Sequence, residues 1–296
     1  MNILIAGSSG LVGSALTPFL EAQGCHVSHL VRHPAKAANE ITWNPDKGEL
    51  DSQSLKGFDA VINLAGENIA AGRWTEARKK ELLDSRVKST KTLCQALASL
   101  DNPPHVLVNA SAIGYYGHQG SKLLTEDSPK GNGFLVDICN RWEAATEAAL
   151  QKGIRVVFAR FGVVLSPNGG ALAKMRTPFK WGLGGVLGSG KQYMSWIGID
   201  DLVHILYFLL QDDDLYGPVN VVSPHPATNY AFTKTLGKVL KRPTFFAMPA
   251  FLVRLVFGEM GDEMLLSSAR VEPKKLLEAG YHFRQPELES ALKETE

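Results

Sequence analysis

The first half of the chain alternates short apolar runs with stretches of helical spacing, the pattern of βαβ units whose strands are buried on both faces. Asn2–Ala6 reads as a strand, and a helix begins near Leu11 with Leu11, Ala15, Leu16, Phe19 and Leu20 on one face, stopping at Gly24. His26–Val31 is the second strand. Ile41–Trp43 is β-prone, and the turn composition of Asn44–Gly48 behind it predicts a small hairpin. Asp59–Leu64 and Val106–Ala110 are further buried strands, separated by helical spacing from Thr75 to about Leu100. A loop rich in Gly and Tyr precedes one helical stretch over Phe134–Lys152, and Arg155–Arg160 is the next strand.

After Leu165 the character changes. Ser166–Gly190 is rich in Gly and Pro around an apolar helical piece, Asp201–Gln211 is a helix, and Val219–Val222 is a short strand. From Ala227 onward short helices are separated by Pro243, Pro249, Pro273 and Pro286. The expectation is a core over residues 1–165. Residues 166–296 are then a mixed remainder, partly completing the sheet and partly forming a small C-terminal lobe.

The glycines sharpen this picture. Gly7, Gly10 and Gly13 stand directly between the first strand and its helix. Glycine lets that turn be tight and lets a pyrophosphate approach the backbone, while the free N–H groups of the helix end stabilise its charge. The turn and first helical residues, Gly7, Ser8, Ser9, Gly10, Leu11, Val12 and Gly13, are thus candidate dinucleotide contacts. The residue closing the second strand selects the cofactor. A carboxylate there holds the ribose 2′-OH of NAD, but this chain has Arg32, with His33 and Lys36 following. A guanidinium pairs with a 2′-phosphate, so the pattern points to NADP(H). Asn63, Leu64, Ala65, Gly66 and Glu67 end the later strand with small residues where a cofactor can lie against the backbone.

Composition narrows the class further. The net charge of +1 over 296 residues gives no sign of a nucleic-acid or membrane partner. Cys25, Cys94 and Cys139 are far apart, which argues against a disulfide framework or zinc site and for a reducing, cytoplasmic setting. No metal-ligand spacing occurs among the histidines. Asp200 and Asp201 at a helix start read as capping residues.

Together these pieces resemble the extended short-chain dehydrogenase/reductases, a doubly wound parallel Rossmann sheet with a small C-terminal substrate lobe. The resemblance rests also on Arg160-Phe161-Gly162, on Gly188-Ser189-Gly190-Lys191-Gln192 and on Asp200-Asp201-Leu202. More narrowly, the chain resembles the atypical "epimerase family" subgroup of unknown substrate, through Asn63–Asn68, Ser85-Arg86-Val87, Trp142-Glu143, Ser195-Trp196-Ile197 and Arg270-Val271-Glu272-Pro273. Some of its members carry a cell-division-inhibitor label.

The resemblance implies that Arg86 and Gly162 also face the cofactor, and that Ser111, just after its strand, hydrogen-bonds the reacting oxygen. The superfamily's Tyr and Lys are absent: Leu135 and Cys139 stand in their places. Tyr116, beside Tyr115 in the loop past Ser111, is the candidate replacement acid. Tyr230 and Lys234 reproduce the Tyr–Lys spacing but lie too late in the chain to serve. Met194 stands where sugar-nucleotide enzymes often place an arginine, with Arg176 and Arg270 as stand-ins. Two readings remain: an NADP(H)-dependent oxidoreductase or epimerase with an altered proton relay acting on an unknown small molecule, or an NADP(H)-binding regulator without turnover that acts through a protein partner.

Overall fold

A computed structural model describes residues 1–295. Seven parallel strands form the central sheet: β1 (Asn2–Ala6), β2 (His26–Val31), β3 (Glu40–Thr42), β4 (Ala60–Asn63), β5 (Val106–Ala112), β6 (Arg155–Phe161) and β7 (Gly217–Val221). Their spatial order is β7-β6-β5-β4-β1-β2-β3. The order reverses between β1 and β4, which opens a crevice at the strands' carboxyl ends where doubly wound sheets hold ligands.

Helices cover both faces, so most interior strand positions are apolar. Successive side chains still alternate. Ile3 and Ile5 pack with Leu16 and Leu20 of α1 (Leu11–Ala22), while Leu4 and Ala6 pack with Leu93 and Leu97 of α2 (Glu76–Ala98) on the opposite face. Thr75 caps α2 by accepting the Arg78 N–H at 3.2 Å, and the helix runs unbroken.

Three local expectations need correction. Glu40–Thr42 is no hairpin arm: it pairs in parallel with β2 as the sheet's edge, bringing Trp43 into the core. Only a single bridge, Asn44 to Glu49, closes the turn behind it. Residues 134–152 form two helices, α3 (Phe134–Ala144) and α4 (Glu147–Gln151), broken where the buried Thr146 hydroxyl donates to the Glu143 carbonyl at 2.8 Å. Ser111 lies within β5, because the pairing with β6 continues to Ala112 opposite Phe161.

The second half supplies β7, and it also forms a lobe with its own apolar cluster, including Leu172, Phe179, Trp196, Phe232 and Leu236. The elements of the lobe used below are α5 (Gly170–Lys180), α6 (Ile199–Gln211), α7 (Asn229–Val239) and α8 (Ala250–Phe257). Asp201 does not cap α6. It is fully buried and accepts the backbone N–H groups of Arg284 and Gln285, each at 2.9 Å, so it ties the C-terminal segment to the core.

Glu126 is buried beside β7. Its Oε1 accepts the Asn220 N–H at 3.0 Å, while Oε2 has no partner among the described residues. Burial raises its pKa above 4.5, opposed by the Asn220 hydrogen bond. A carboxyl whose folded pKa is raised stabilises fully below its unfolded pKa, and that contribution is lost as pH rises through the folded value. Glu126→Gln should therefore raise the melting temperature at pH 8, with the difference vanishing near pH 4. Thermal melts across that range check this; an offset that does not change with pH would contradict it.

Candidate active site at the sheet's carboxyl edge

The turn after β1 has the geometry of an anion cradle. Gly7 adopts φ +82°, and a Cβ there would lie 2.7 Å from the Leu64 carbonyl carbon. A Cβ on Gly13 would lie 2.5 Å from the Gly7 oxygen. Both positions admit only hydrogen, so the ends of β1, α1 and β4 approach closely. Gly10 is the N-cap of α1, and it has neither a side-chain cap nor an acid in the first turn. The first N–H groups of α1 therefore lack side-chain partners, in the field of a positive helix end. Ser8 is partly exposed and Ser9 exposed at the rim, while Leu11 packs toward Gly170 and Val12 toward the core. The cradle fits a pyrophosphate.

Arg32 lies at the end of β2 with its side chain 72% exposed, and its one ion-pair contact among the described residues is Glu67 at a loose 3.9 Å. Its guanidinium can therefore turn to a phosphate at little cost. Glu67 is also approached by Arg78 at 3.8 Å. Arg86 lies across Gly66, where a Cβ would be 3.2 Å from its side chain, and donates to the carbonyls of Glu67 at 2.9 Å and Leu82 at 3.0 Å. Burial lowers its pKa from the ordinary arginine value, partly offset by Glu67. Arg86 thus shapes the loop after β4 from beneath.

Asn63 is fully buried. Its amide donates to Thr90 and Asn109 at 2.9 and 2.7 Å, and its oxygen accepts the Ala65 N–H. It holds the Leu64–Ala65 backbone in place through hydrogen bonds below the crevice floor. Gly162 is a close-approach residue: a Cβ there would lie 2.8 Å from the Ser195 oxygen.

Deeper along the edge runs a buried polar chain. The Ser111 hydroxyl donates to Glu143 Oε1 at 2.7 Å, and Glu143 receives Arg160 at both oxygens, at 2.8 and 2.9 Å. Arg160 also donates to the Tyr116 hydroxyl at 3.0 Å and lies 3.5 Å from the Tyr115 ring centroid. The Tyr116 hydroxyl donates to Asn220 at 2.7 Å. Burial works against the Arg160 charge, but the bidentate Glu143 carboxylate outweighs it and raises the pKa. Burial likewise pushes the Tyr116 phenol up to about 12 and the Cys139 thiol up to about 12. Tyr116 is fully buried, and Cys139 packs with Leu135 against Gly114, its thiol facing the Ala112 carbonyl at 3.6 Å. The later Tyr–Lys pair stands apart in the lobe: Tyr230 is exposed, and Lys234 donates to Thr244.

A cleft of about 290 Å³ opens between this edge and the lobe, lined by His118, Asn132, Arg254, Asp262, Glu263 and Ser267 among others. The Glu263 carboxylate accepts the N–H groups of Phe134 and Leu135 at the start of α3, each at 3.3 Å. His118 Nδ1 accepts the Ser268 N–H at 3.1 Å, which leaves Nε2 as the N–H of the neutral ring. Arg176 is committed to the Thr295 carbonyl, and Arg270 lies over the Tyr193 ring. The sequence reading did not anticipate the Glu143–Arg160 pair, the Glu263 cap or His118. Trp142-Glu143 and Arg160-Phe161 stood out only as fragments, since no spacing rule joins two residues on different elements.

A parallel sheet with a glycine cradle at its switch point and an ionised polar chain beside it defines a dinucleotide-binding α/β protein. The chain belongs to the NAD dependent epimerase/dehydratase family, which matches residues 3–222, and a domain of unknown function matches residues 248–295. It is 47% identical over 290 residues to the epimerase family protein Mb2239 of Mycobacterium bovis, covering 98% of this chain and 96% of that one. It is 39% identical to the human epimerase family protein SDR39U1, covering 99% of each. The crystal structure of human SDR39U1 isoform 2 with NADPH superposes with TM-score 0.89 at 38% identity, covering 100% and 99% of the two chains. UDP-glucose 4-epimerase from Thermus thermophilus shares the fold, with TM-score 0.78 at 18% identity over 100% and 97%.

Proposed function

We propose that this chain binds NADP(H) and acts as an oxidoreductase or epimerase on a small polar molecule held in the cleft beside α3. The observation that carries the reading is the uncapped, acid-free start of α1 behind Gly7 and Gly13, with Arg32 ending the neighbouring strand. The related human protein crystallised with NADPH supports the same cofactor. When bound, that cofactor supplies or accepts hydride. The α1 N–H groups would hold its diphosphate and Arg32 its 2′-phosphate, with the Leu64–Ala65 backbone against its adenosine half. Arg86, Asn63 and Gly162 support this pocket by shaping its walls.

The Ser111 hydroxyl, 2% exposed, gives its proton to Glu143, which leaves its oxygen lone pairs as acceptors. In that arrangement it would accept from the hydroxyl of an alcohol substrate or product, and its proton would have to turn from Glu143 to bond a carbonyl oxygen; His118 would be the proton carrier of the cleft. Tyr116 serves the buried chain instead: a phenol with a pKa near 12 and both neighbours engaged is a poor acid–base group at neutral pH.

A second reading is an NADP(H)-binding regulator without turnover, with cell division among the processes to examine. Leu135 and Cys139 at the superfamily's Tyr and Lys positions favour it, since neither supplies a phenol or a cation. A screen of NADPH oxidation against a broad carbonyl panel separates the two. The enzyme reading expects turnover that Ser111→Ala lowers roughly a hundredfold. Binding without turnover across the panel would favour the regulator.

A further inference from the structure

The near-zero total charge conceals two long stretches without acids. Residues 166–199 and 215–258 contain nine Lys and Arg and no Asp or Glu. Some of these cations are engaged elsewhere: Lys238 pairs with Glu289, and Arg254 with Asp262. Lys180, Lys241 and Arg242 are exposed and have no carboxylate within ion-pair distance among the described residues. The fold gathers these three. Arg242 donates to the Lys180 carbonyl at 3.1 Å, and Pro243 lies 4.0 Å from the Cβ position of Gly182.

The same place bears the most exposed aromatics of the chain. Trp181 is 79% exposed and Phe245 is 88% exposed, with Leu183 and Phe246 also exposed. They are neighbours by construction, because the strand Gly185–Leu187 pairs in parallel with Phe246–Met248, placing Gly185 opposite Phe246. The next helix, α8, also exposes Phe251, Leu255 and Val256.

We propose that this face is a docking surface for an anionic lipid bilayer, with Trp181 and Phe245 entering the interface and Lys180, Lys241 and Arg242 meeting the headgroups. Protruding Trp and Phe, aliphatic neighbours and three cations with no carboxylate at ion-pair distance are the chemistry of interfacial binding, with Glu259 and Asp262 lying beyond α8. A second copy of the chain fits worse, since a two-fold contact would set the three cations against their own images. Single-stranded nucleic acid fits worse because Leu183, Leu255 and Val256 offer bases no stacking face. No helix among the described residues is long and apolar enough to cross a membrane, so the contact would be peripheral.

Flotation of the full chain with phosphatidylglycerol–phosphatidylcholine vesicles, against phosphatidylcholine alone, tests the proposal. The expected result is binding to the anionic vesicles only, lost in high salt, with Trp181-dependent fluorescence shifting to the blue. Lys180→Glu combined with Lys241→Glu should weaken it roughly thirtyfold or more, at about tenfold or less per cation lost. A parallel Trp181→Ser variant should also lose binding, and thermal melts of both variants should match the parent. Four results would overturn the proposal: no flotation, flotation indifferent to these residues, Phe245→Ser-sensitive self-association without vesicles, or displacement from vesicles by a single-stranded oligonucleotide.

Discussion

Arg160→Ala should destabilise the protein by about 3–5 kcal/mol, a fall of roughly 5–8 °C in melting temperature for a chain of this size. The size follows from what the guanidinium leaves behind. Arg160 is 3% exposed, and its partner Glu143 is 11% exposed. Removing the cation strands a buried carboxylate whose only other hydrogen-bond donor in the network is the Ser111 hydroxyl. Tyr116 also loses the donor to its hydroxyl, and the Tyr115 ring loses the guanidinium lying over it. A circular-dichroism melt reads the effect. Arg160→Met together with Glu143→Leu should recover much of the loss, because paired apolar replacements leave no charge unmatched. If the single variant melted with the parent, the pair would contribute nothing to the fold. If the double variant were worse than the single, the cost would lie in packing rather than in a stranded charge.

This pair also shows where sequence reading runs out. Most strands of the sheet were legible because they are short apolar runs, β3 (Glu40–Thr42) reading instead as a hairpin arm, and α1 because its glycines sit between a strand and an apolar helical stripe. The cradle was legible for the same reason: a local turn is encoded by adjacent residues. The polar chain from Ser111 through Glu143 and Arg160 to Tyr116 draws on β5, α3, β6 and the loop between them, and no local rule links those positions. Tyr116 shows the consequence. Its place past Ser111 gave it an acid's position, while its full burial is set by Asn220 and Leu124 from distant segments. Asp201 is similar: adjacency to a helix start predicted a cap, whereas the partners are backbone groups some eighty residues on. Exposure of Trp181 and Phe245 was equally invisible, since an apolar residue in a sequence does not say which side of the surface it takes.

A second expectation concerns Arg32. Its guanidinium is held by one loose contact, so the charge-assisted hydrogen bonds it offers a 2′-phosphate are nearly all gain. One or two such bonds correspond to a preference of roughly a hundredfold over a cofactor lacking that phosphate. The exposed side chain touches nothing the fold depends on, so Arg32→Ala should leave the melting temperature unchanged. The decisive measurement is calorimetric titration of the chain and of Arg32→Ala with NADPH and NADH. The chain should hold NADPH about a hundredfold more tightly than NADH, and the variant should hold the two alike. Absence of measurable NADPH binding, or a preference for NADPH that survives intact in Arg32→Ala, would contradict this.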